Sequence, residues 1–210
     1  TVQYPEHQFY FFFDRAYDDA FIFSENITPV VLLPPARHPI LWYIWFEFSV
    51  ANELKKIQPD IFISPDGYLS LYAETKTLMV VHDLAFEHYP QYINKLTAKY
   101  YRYFTPKFVA RADKIVTVSE ATKKDIVHCY GTDASKIVVA HNGVGVKFKP
   151  LIESEIIETR NKYSARKNYF VYAGSLHPRK NIANLFRAFD LFKKETHSDF
   201  KLVLAGACGW

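Results

Sequence analysis

The sequence predicts an α/β protein in which a mostly parallel sheet is flanked by helices. Two observations lead to this prediction: short apolar runs alternate with longer helical windows, and most of the runs are continuous rather than alternating in polarity. Continuous apolar runs are typical of parallel strands that are buried on both faces. The predicted strands are Phe9–Phe13, Phe21–Phe23, Val30–Leu33, Ile61–Ile63, Leu78–Val81, Ile115–Val118, Ile137–Ala140, Phe170–Ala173 and Leu202–Leu204.

Helical windows lie between these runs, and two of them carry clear signals. Ser119 is a capping residue at the start of one window, and Gly131 follows its last turn, where glycine commonly ends a helix. Pro106 lies inside another window and predicts a kink or a break there. The predicted helices are Leu41–Ile57, Tyr92–Ala112, Ser119–Tyr130 and Asn181–Thr196.

A charged segment that contains no strand, residues 151–166, interrupts the alternation. We interpret it as a helical linker between an N-terminal domain, residues 1–150, and the start of a second α/β domain, residues 167–210. The second region contains a strand, a basic loop, a helix and another strand. Its helix carries an apolar stripe that we expect to lie in a core, made of Ile182, Leu185, Phe186, Phe189 and Phe192.

Composition excludes several classes of protein. A hydrophobic fraction of 49% and a charged fraction of 23% are typical of a globular protein, and no apolar run is long enough to cross a membrane. A net charge of +4 is compatible with an anionic ligand or an anionic membrane surface, but it is too small to indicate nucleic-acid binding. Cys129 and Cys208 do not have the spacing of metal ligands, so we expect two buried free thiols and no zinc site.

Polar residues follow three of the predicted strands, where open α/β sheets bind their ligands. The pair His82-Asp83 fits a general base, a phosphate contact or an ordinary buried histidine. Ser119 is also explained as a helix cap, and Asn142-Gly143 as a turn pair. The residues alone leave these alternatives open.

The most informative stretch is Tyr169–Asn181, where a strand ends at Gly174 and a short basic loop leads to a helix. The loop brings Arg179 and Lys180 to the helix N-terminus, where unpaired backbone N–H groups and the helix dipole favour anions. This pattern predicts a phosphate or diphosphate site, because arginine offers a planar fork and lysine a point charge. The alternative is that both residues are solvated surface cations.

The window Tyr92–Ala112 interleaves cations with aromatic residues, which gives it two interpretations. A basic aromatic helix can lie on an anionic membrane. We favour the other interpretation, in which the aromatic side chains pack on the sheet and the cations are solvated.

Five segments together resemble a family 4, or group 1, glycosyltransferase of the GT-B type, because they occur in the order and spacing of that family. The segments are VVHDLAFEHYP (Val80–Pro90), ADKIVTVSEATKKDI (Ala112–Ile126), KIVVAHNGV (Lys136–Val144), YFVYAGSLHPRKNIANLFRAF (Tyr169–Phe189) and KLVLAG (Lys201–Gly206). The segment PARHPILWYIWFE (Pro35–Glu47) is similar to the mannosyltransferase subgroup.

The resemblance implies two Rossmann-like domains that face each other across a cleft, with the acceptor mainly on the N-terminal domain and the nucleotide mainly on the C-terminal domain. It implies transfer of a hexose, such as mannose from GDP-mannose, with retention of configuration and without a metal or other cofactor. The implied partners are a nucleotide-sugar donor and a glycan or polyprenyl-linked acceptor, and no nucleic acid. The implied location is the cytoplasm, with peripheral contact at the inner face of the membrane.

The resemblance also assigns roles to residues on the acceptor side. His82 and Asp83 would be catalytic, with His82 near the transferred sugar, where it positions donor and acceptor. Asp83 would also line the acceptor side, together with Ser119, Asn142 and Gly143.

On the donor side, Arg179 and Lys180 would hold the diphosphate, and Gly174 would let the backbone approach the phosphates. Some relatives carry a cation directly after this glycine, where this chain has Ser175. The family's N-terminal glycine-rich loop and its downstream glutamate pair are not found in this sequence. We therefore expect the full-length parent to be an enzyme and this chain alone to be inactive. The alternative is a non-catalytic module of degenerate GT-B fold that binds a sugar phosphate or a partner.

Overall fold

The computed structural model describes residues 1–145 and 148–207. The chain divides into two compact units, Thr1–Asn142 and Gly143–Trp210. Each unit contains parallel strands and helices, so the predicted α/β class is confirmed.

The first unit contains two parallel sheets. A two-stranded sheet pairs β1 (Phe9–Phe13) with β2 (Ile27–Val31). A four-stranded sheet has the spatial order β3 (Phe62–Ser64), β4 (Thr77–Val81), β5 (Lys114–Thr117) and β6 (Ile137–Val139). All of its strands are parallel, and their carboxyl ends therefore lie at one edge of the sheet.

The helices of the first unit agree with most of the sequence predictions. They are α1 (Pro39–Ile44), a π-helical segment (Trp45–Val50), α2 (Ala51–Ile57), α3 (Ala85–His88), α4 (Lys95–Arg111) and α5 (Glu120–Tyr130). The first three run without interruption, as the window Leu41–Ile57 predicts. Helix α5 is capped by Ser119, whose Oγ accepts a hydrogen bond from the backbone N–H of Thr122, and it ends at Gly131 with φ of 64°.

Of the two alternatives at Pro106, the break does not occur, and one predicted strand is wrong. Helix α4 does not break at Pro106, because Thr105, Phe108 and Val109 around it are buried, and this packing offsets a proline penalty of about 3 kcal/mol. The predicted strand Phe21–Phe23 is not a strand: a 3₁₀ turn at Asp19–Phe21 occupies its start. The Asp18 carboxylate accepts a hydrogen bond from the Ala20 N–H and so favours the turn.

The main core of the first unit lies between the four-stranded sheet and its helices. Met79 and Ile115 of the central strands are fully buried, and they belong to one cluster with Phe108 of α4 and Ile126 of α5. Asp113 joins the starts of β4 and β5, since its Oδ2 accepts hydrogen bonds from the Thr77 N–H at 2.8 Å and from the Thr77 hydroxyl at 2.9 Å. These bonds hold the pKa of the Asp113 carboxyl below its usual value.

The second unit has fewer elements. They are α6 (Glu153–Ser164), β7 (Tyr169–Ala173), a 3₁₀ turn (Pro178–Lys180), α7 (Ile182–Thr196) and β8 (Lys201–Ala205). Strands β7 and β8 pair in parallel, with Tyr169 opposite Lys201 and Ala173 opposite Ala205. Helix α6 confirms that the charged segment is helical.

The predicted core stripe of α7 is only partly covered. No residue of α7 is buried, and Phe186 is 50% exposed, so its core assignment is wrong. Phe189 and Phe192 are half-buried, because their rings pack against Phe170 of β7, and Phe192 also packs against Phe200. The stripe faces β7, but a two-stranded sheet is too narrow to cover it.

Helix α4 follows the packing interpretation for most of its aromatic residues. Tyr100 and Phe108 are buried, and Tyr101 and Phe104 pack partly against the core, whereas Tyr103 is exposed. Within the described ranges, no helix is both long enough and apolar enough to span a membrane.

The prediction of buried thiols is wrong for Cys129, which is exposed on α5. The buried positions of this helix are Thr122 and Ile126, and their four-residue step continues to Tyr130 rather than to Cys129. Cys208 lies outside the described residues.

Candidate functional site

The carboxyl edge of the four-stranded sheet carries most of the predicted site residues of the first unit. His82 follows β4, Ser119 closely follows β5, and Asn142 follows the end of β6. Because these strands are adjacent and parallel, their ends lie at one edge. The structure therefore brings His82 and Ser119 to the same edge, as the strand-end argument predicts.

The His82 ring is oriented by the loop that follows β3. Its Nε2 lies 2.9 Å from the carbonyl oxygen of Pro65. A carbonyl oxygen can only accept, so Nε2 carries the proton in this contact. In the neutral ring Nδ1 then has a lone pair that can accept a hydrogen bond. His82 is exposed, so it is not the ordinary buried histidine that the sequence left open.

The side chains of Ser119 and Thr122 connect α5 to His82. The Ser119 hydroxyl lies 3.0 Å from the Thr122 hydroxyl, which donates to the carbonyl oxygen of His82 at 3.0 Å. Thr122 is therefore the acceptor of the Ser119 proton, while its backbone N–H donates to Ser119 Oγ at 3.1 Å. Thr122 is a site residue that sequence reasoning missed. The signal was a second hydroxyl three residues after the cap, but no local pattern links it to His82.

Asp83 has a local role in the structure. Its Oδ1 accepts a hydrogen bond from the Ala85 N–H at 2.9 Å, at the start of α3. One carboxylate oxygen is therefore used to shape the turn between β4 and α3. Asp83 is exposed and directly follows His82 in the chain.

Asn142 and Gly143 lie at the boundary between the two units and form no turn. Before them, the Nδ1 of His141 lies 3.2 Å from the Val118 carbonyl oxygen and ties the end of β6 to the end of β5. Asn142 is exposed, and a Cβ built on Gly143 would have no atom within 4 Å. Packing therefore does not require glycine there, and Gly143 belongs to the second unit.

A buried carboxylate, Glu47 of the π-helical segment, holds the connection between β3 and β4. Its Oε2 accepts hydrogen bonds from the Leu71 N–H at 2.8 Å and from the Ser70 hydroxyl at 3.2 Å. Its Oε1 is buried without a partner among the described residues. Burial raises the pKa of Glu47, since the charged form loses its hydration. This anchoring role was missed, although a glutamate inside an apolar helical window was a visible signal.

In the second unit, the basic loop forms a 3₁₀ turn, Pro178–Lys180, that leads to α7. The Nδ1 of His177 accepts a hydrogen bond from the Arg179 N–H at 3.2 Å and caps the 3₁₀ turn. Asn181 adopts a left-handed conformation with φ of 57°, and α7 begins after it without a side-chain cap in the part of the chain that the structure describes. Arg179 and Lys180 are both exposed beside this uncapped helix start.

The ends of β7 and β8 approach each other closely at two glycines. A Cβ on Gly206 would lie 1.9 Å from the carbonyl oxygen of Gly174, so no other residue fits there. Gly174 donates its N–H to the Ala205 carbonyl at 2.9 Å, and a Cβ on it would meet the Tyr172 hydroxyl at 3.1 Å. The φ of 150° at Gly174 is a conformation that favours glycine, and Gly206 is a further required glycine that sequence reasoning passed over.

Comparison with curated proteins finds bacterial relatives of about the same similarity. The chain is 28% identical over 158 residues to the O-antigen chain mannosyltransferase B of Escherichia coli. This match covers 75% of this chain and 41% of the relative. It is 26% identical over 172 residues to the O-antigen chain mannosyltransferase RfbU of Salmonella typhimurium, covering 81% of this chain and 43% of the relative. The chain therefore spans less than half the length of these two relatives.

Solved structures share the fold of the chain. A crystal structure of Anabaena HepE in complex with UDP and glucose has a TM-score of 0.66 at 14% identity, and it covers 95% of this chain and 53% of that protein. A glycosyltransferase from Rickettsia africae has a TM-score of 0.54 at 17% identity, covering 97% of this chain and 62% of that protein. Identities this low support the fold alone.

Family descriptions match both parts of the sequence. Residues 154–209 match the description Glycosyl transferases group 1. Residues 6–148, which are well over half of the chain, match Glycosyltransferase Family 4. The resemblance carried by the five segments is confirmed, and the chain belongs to Glycosyltransferase Family 4.

Proposed function

We propose that a protein containing this chain is a retaining glycosyltransferase that moves a hexose from a nucleotide sugar to a glycan or polyprenyl-linked acceptor in surface polysaccharide biosynthesis. The donor that we propose first is GDP-mannose, because the curated relatives named above are O-antigen mannosyltransferases. The reaction needs no metal or other cofactor in this proposal.

The oriented ring of His82 is the observation that carries the proposal. Its Nε2–H is held by the Pro65 carbonyl at 2.9 Å, and its backbone carbonyl is held by Thr122. An oriented, exposed imidazole with an available Nδ1 lone pair suits hydrogen bonding to a sugar hydroxyl at a strand end. In this role His82 positions the transferred sugar, with Asp83, Ser119, Asn142 and Gly143 on the acceptor side.

Arg179 and Lys180 are proposed to hold the donor diphosphate, with Gly174 at the end of β7. Both cations are exposed next to the uncapped start of α7, where the helix dipole is positive. Charge builds up on the nucleoside diphosphate as it leaves, so groups fixed beside it stabilise the transition state more than the ground state.

A nucleotide-sugar donor places the proposed protein in the cytoplasm, and we propose peripheral contact with the inner membrane face through the exposed part of α4. There the Lys107 ammonium lies 3.4 Å from the Tyr103 ring centroid, and both side chains are exposed. Flotation with anionic vesicles at low salt tests this contact, and absence of binding would remove it from the proposal.

The donor assignment is tested by calorimetric titration of the full-length protein with GDP-mannose, UDP-glucose and UDP-N-acetylglucosamine. We expect one of them to bind, and binding to be lost in the double variant Arg179→Ala/Lys180→Ala. The matched control is Arg187→Ala/Lys194→Ala, which removes the same charge from later turns of α7 and should bind normally. Folded protein that binds none of the three would support the non-catalytic module instead.

The role of His82 is tested by two substitutions, of which one replaces the hydrogen-bond donor at Nε2 and the other replaces the acceptor at Nδ1. His82→Gln keeps a donor near the Pro65 carbonyl but removes the Nδ1 acceptor, so turnover should fall by about 10²-fold or more while donor binding persists. His82→Asn keeps an acceptor near the position of Nδ1 and should retain more activity than His82→Gln. The reverse order of the two variants would contradict the proposed use of Nδ1.

A further inference from the structure

Three side chains of types that bind metals lie close together in the first unit, outside the predicted site. They are His88 at the end of α3, and Asp125 and Cys129 on α5. One ligand atom from each lies within 4.8 Å of the other two, and the Nε2 of His88 is 2.9 Å from the Oδ2 of Asp125. A histidine nitrogen, a carboxylate oxygen and a thiol sulfur form a donor set that suits zinc and chemically similar divalent cations.

Helical geometry creates this cluster from residues that are far apart in sequence. Asp125 and Cys129 are four residues apart on α5, so they lie one above the other on the same helix face. His88 reaches that face from α3, 37 residues before Asp125. The absence of a metal spacing around Cys129 in the sequence therefore does not exclude a metal site.

The residues next to His88 and Cys129 in the chain are connected by a hydrogen bond. Tyr130, next to Cys129, donates its hydroxyl to the Oε1 of Glu87, next to His88, at 2.9 Å. The other oxygen of Glu87 accepts a hydrogen bond from Arg102 of α4 at 3.2 Å. This arrangement holds the end of α3 against the end of α5 before any cation binds. Outer contacts of this kind keep metal ligands in place.

We propose that His88, Asp125 and Cys129 bind one divalent cation of the zinc type, with water in the fourth position. Zn–N and Zn–S bonds of about 2.0 and 2.3 Å imply ligand atoms about 3.5 Å apart, which small side-chain rotations can reach from the present separations. Binding releases the thiol proton of Cys129 to solvent. In the absence of the cation the Nε2–H of His88 donates to the Asp125 carboxylate, which can only accept. On binding, the ring proton moves by exchange with solvent from Nε2 to Nδ1, and the freed Nε2 lone pair binds the cation in place of the hydrogen bond to Asp125.

The bound cation would fix the segment that follows His82 and Asp83. Helix α3 begins two residues after Asp83, and its last residue, His88, would be joined to α5 by metal bonds instead of one exposed hydrogen bond. The site would thus stabilise α3 against α5. This inference does not depend on the proposed transfer reaction.

The experiment measures Zn²⁺ binding by dialysis and metal analysis, together with the absorption spectrum of the Co²⁺ form. The protein carries Cys208→Ser throughout, so that Cys129 is the thiol under study among the cysteines of this chain. We expect one equivalent of Zn²⁺, a thiolate-to-cobalt charge-transfer band, and a rise in thermal midpoint that a chelator reverses. Cys129→Ser and His88→Gln should abolish all three.

Two further variants separate a metal site from a general loss of structure. His128→Gln changes the residue beside Cys129 on the same helix and should bind as the parent does. Tyr130→Phe removes the bond to Glu87, and we expect it to weaken Zn²⁺ binding by about tenfold without removing the cobalt band. Unchanged stoichiometry in Cys129→Ser, or a Co²⁺ spectrum without a thiolate band, would overturn the proposal.

Discussion

Strand β4 in the first unit and β7 in the second are both five-residue strands followed by residues of the proposed site, but their surroundings differ. Along β4, Thr77, Met79 and Val81 are buried and the residues between them are half-buried. Along β7 no residue is buried, and Val171 is 63% exposed.

The difference arises from the number of neighbours and not from the strand sequences. Strand β4 lies between β3 and β5 and is covered by helices that belong to the same core, whereas β7 pairs with β8 alone in the described part of its unit. Two strands and a helix bury little apolar surface and are marginal by themselves. The same local signal therefore produces a closely packed strand before His82 and a lightly packed strand before the loop of Arg179 and Lys180.

The largest expected effect on stability is the difference between truncating an apolar residue of the four-stranded sheet and truncating one of the β7–β8 sheet. Ile115→Ala in β5 should lower the free energy of unfolding by about 3 kcal/mol, because the side chain is fully buried and its loss leaves a cavity. Val171→Ala in β7 should change it by less than about 0.5 kcal/mol. Urea unfolding followed by tryptophan fluorescence and by circular dichroism checks both variants, and equal losses would contradict the comparison.

A smaller effect is expected at Glu47, the buried carboxylate of the first unit. Glu47→Ala should lower stability by about 2 kcal/mol, since it leaves the Leu71 N–H and the Ser70 hydroxyl without their acceptor. Glu47→Gln keeps an acceptor oxygen and removes the buried charge, so its stability should lie within about 1 kcal/mol of the parent.

The pH dependence of stability separates the effect of the buried charge of Glu47 from the effect of its hydrogen bonds. Its folded pKa is raised, so the folded state holds the proton more tightly than the unfolded state. The contribution of Glu47 is most favourable at low pH and decreases as pH rises from its unfolded pKa through its raised folded pKa. Thermal unfolding across this window should show the decrease in the parent and not in Glu47→Gln.

In contrast, Asp199→Asn should change stability little, because the bond from Lys167 to Asp199 in the second unit is exposed.

Effects smaller than those at Ile115 and Glu47 are expected at the starts of α5 and α7. Ser119→Ala should cost about 1 kcal/mol, because α5 loses its cap and Thr122 loses the donor to its hydroxyl. Asn181→Gly should change stability by only about 0.5 kcal/mol, since glycine accepts the left-handed conformation without strain. Thermal denaturation of both variants measures the difference, and a larger loss in Asn181→Gly would mean that α7 depends on an Asn181 contact.

Some residues of the candidate site are found from local sequence signals, and others are found only from contacts between distant parts of the chain. Local signals located His82, Ser119 and the basic loop, because strand ends and helix starts are encoded by neighbouring residues. Local signals did not find Thr122, Glu47 or the cluster at His88, since each depends on a contact between residues more than 20 positions apart. Their roles depend on the parallel order of the sheet and on which helix faces pack together.

By itself the sequence determined the α/β class, most of the strands, the helical character of the charged segment that forms α6 and the capped start of α5. These features depend on apolar periodicity and capping, which act over a few residues. Only the tertiary structure decided that α4 runs through Pro106, that Phe186 is exposed and that Cys129 faces outward. Burial is set by what packs against a residue, and for these residues the deciding neighbours lie elsewhere in the chain.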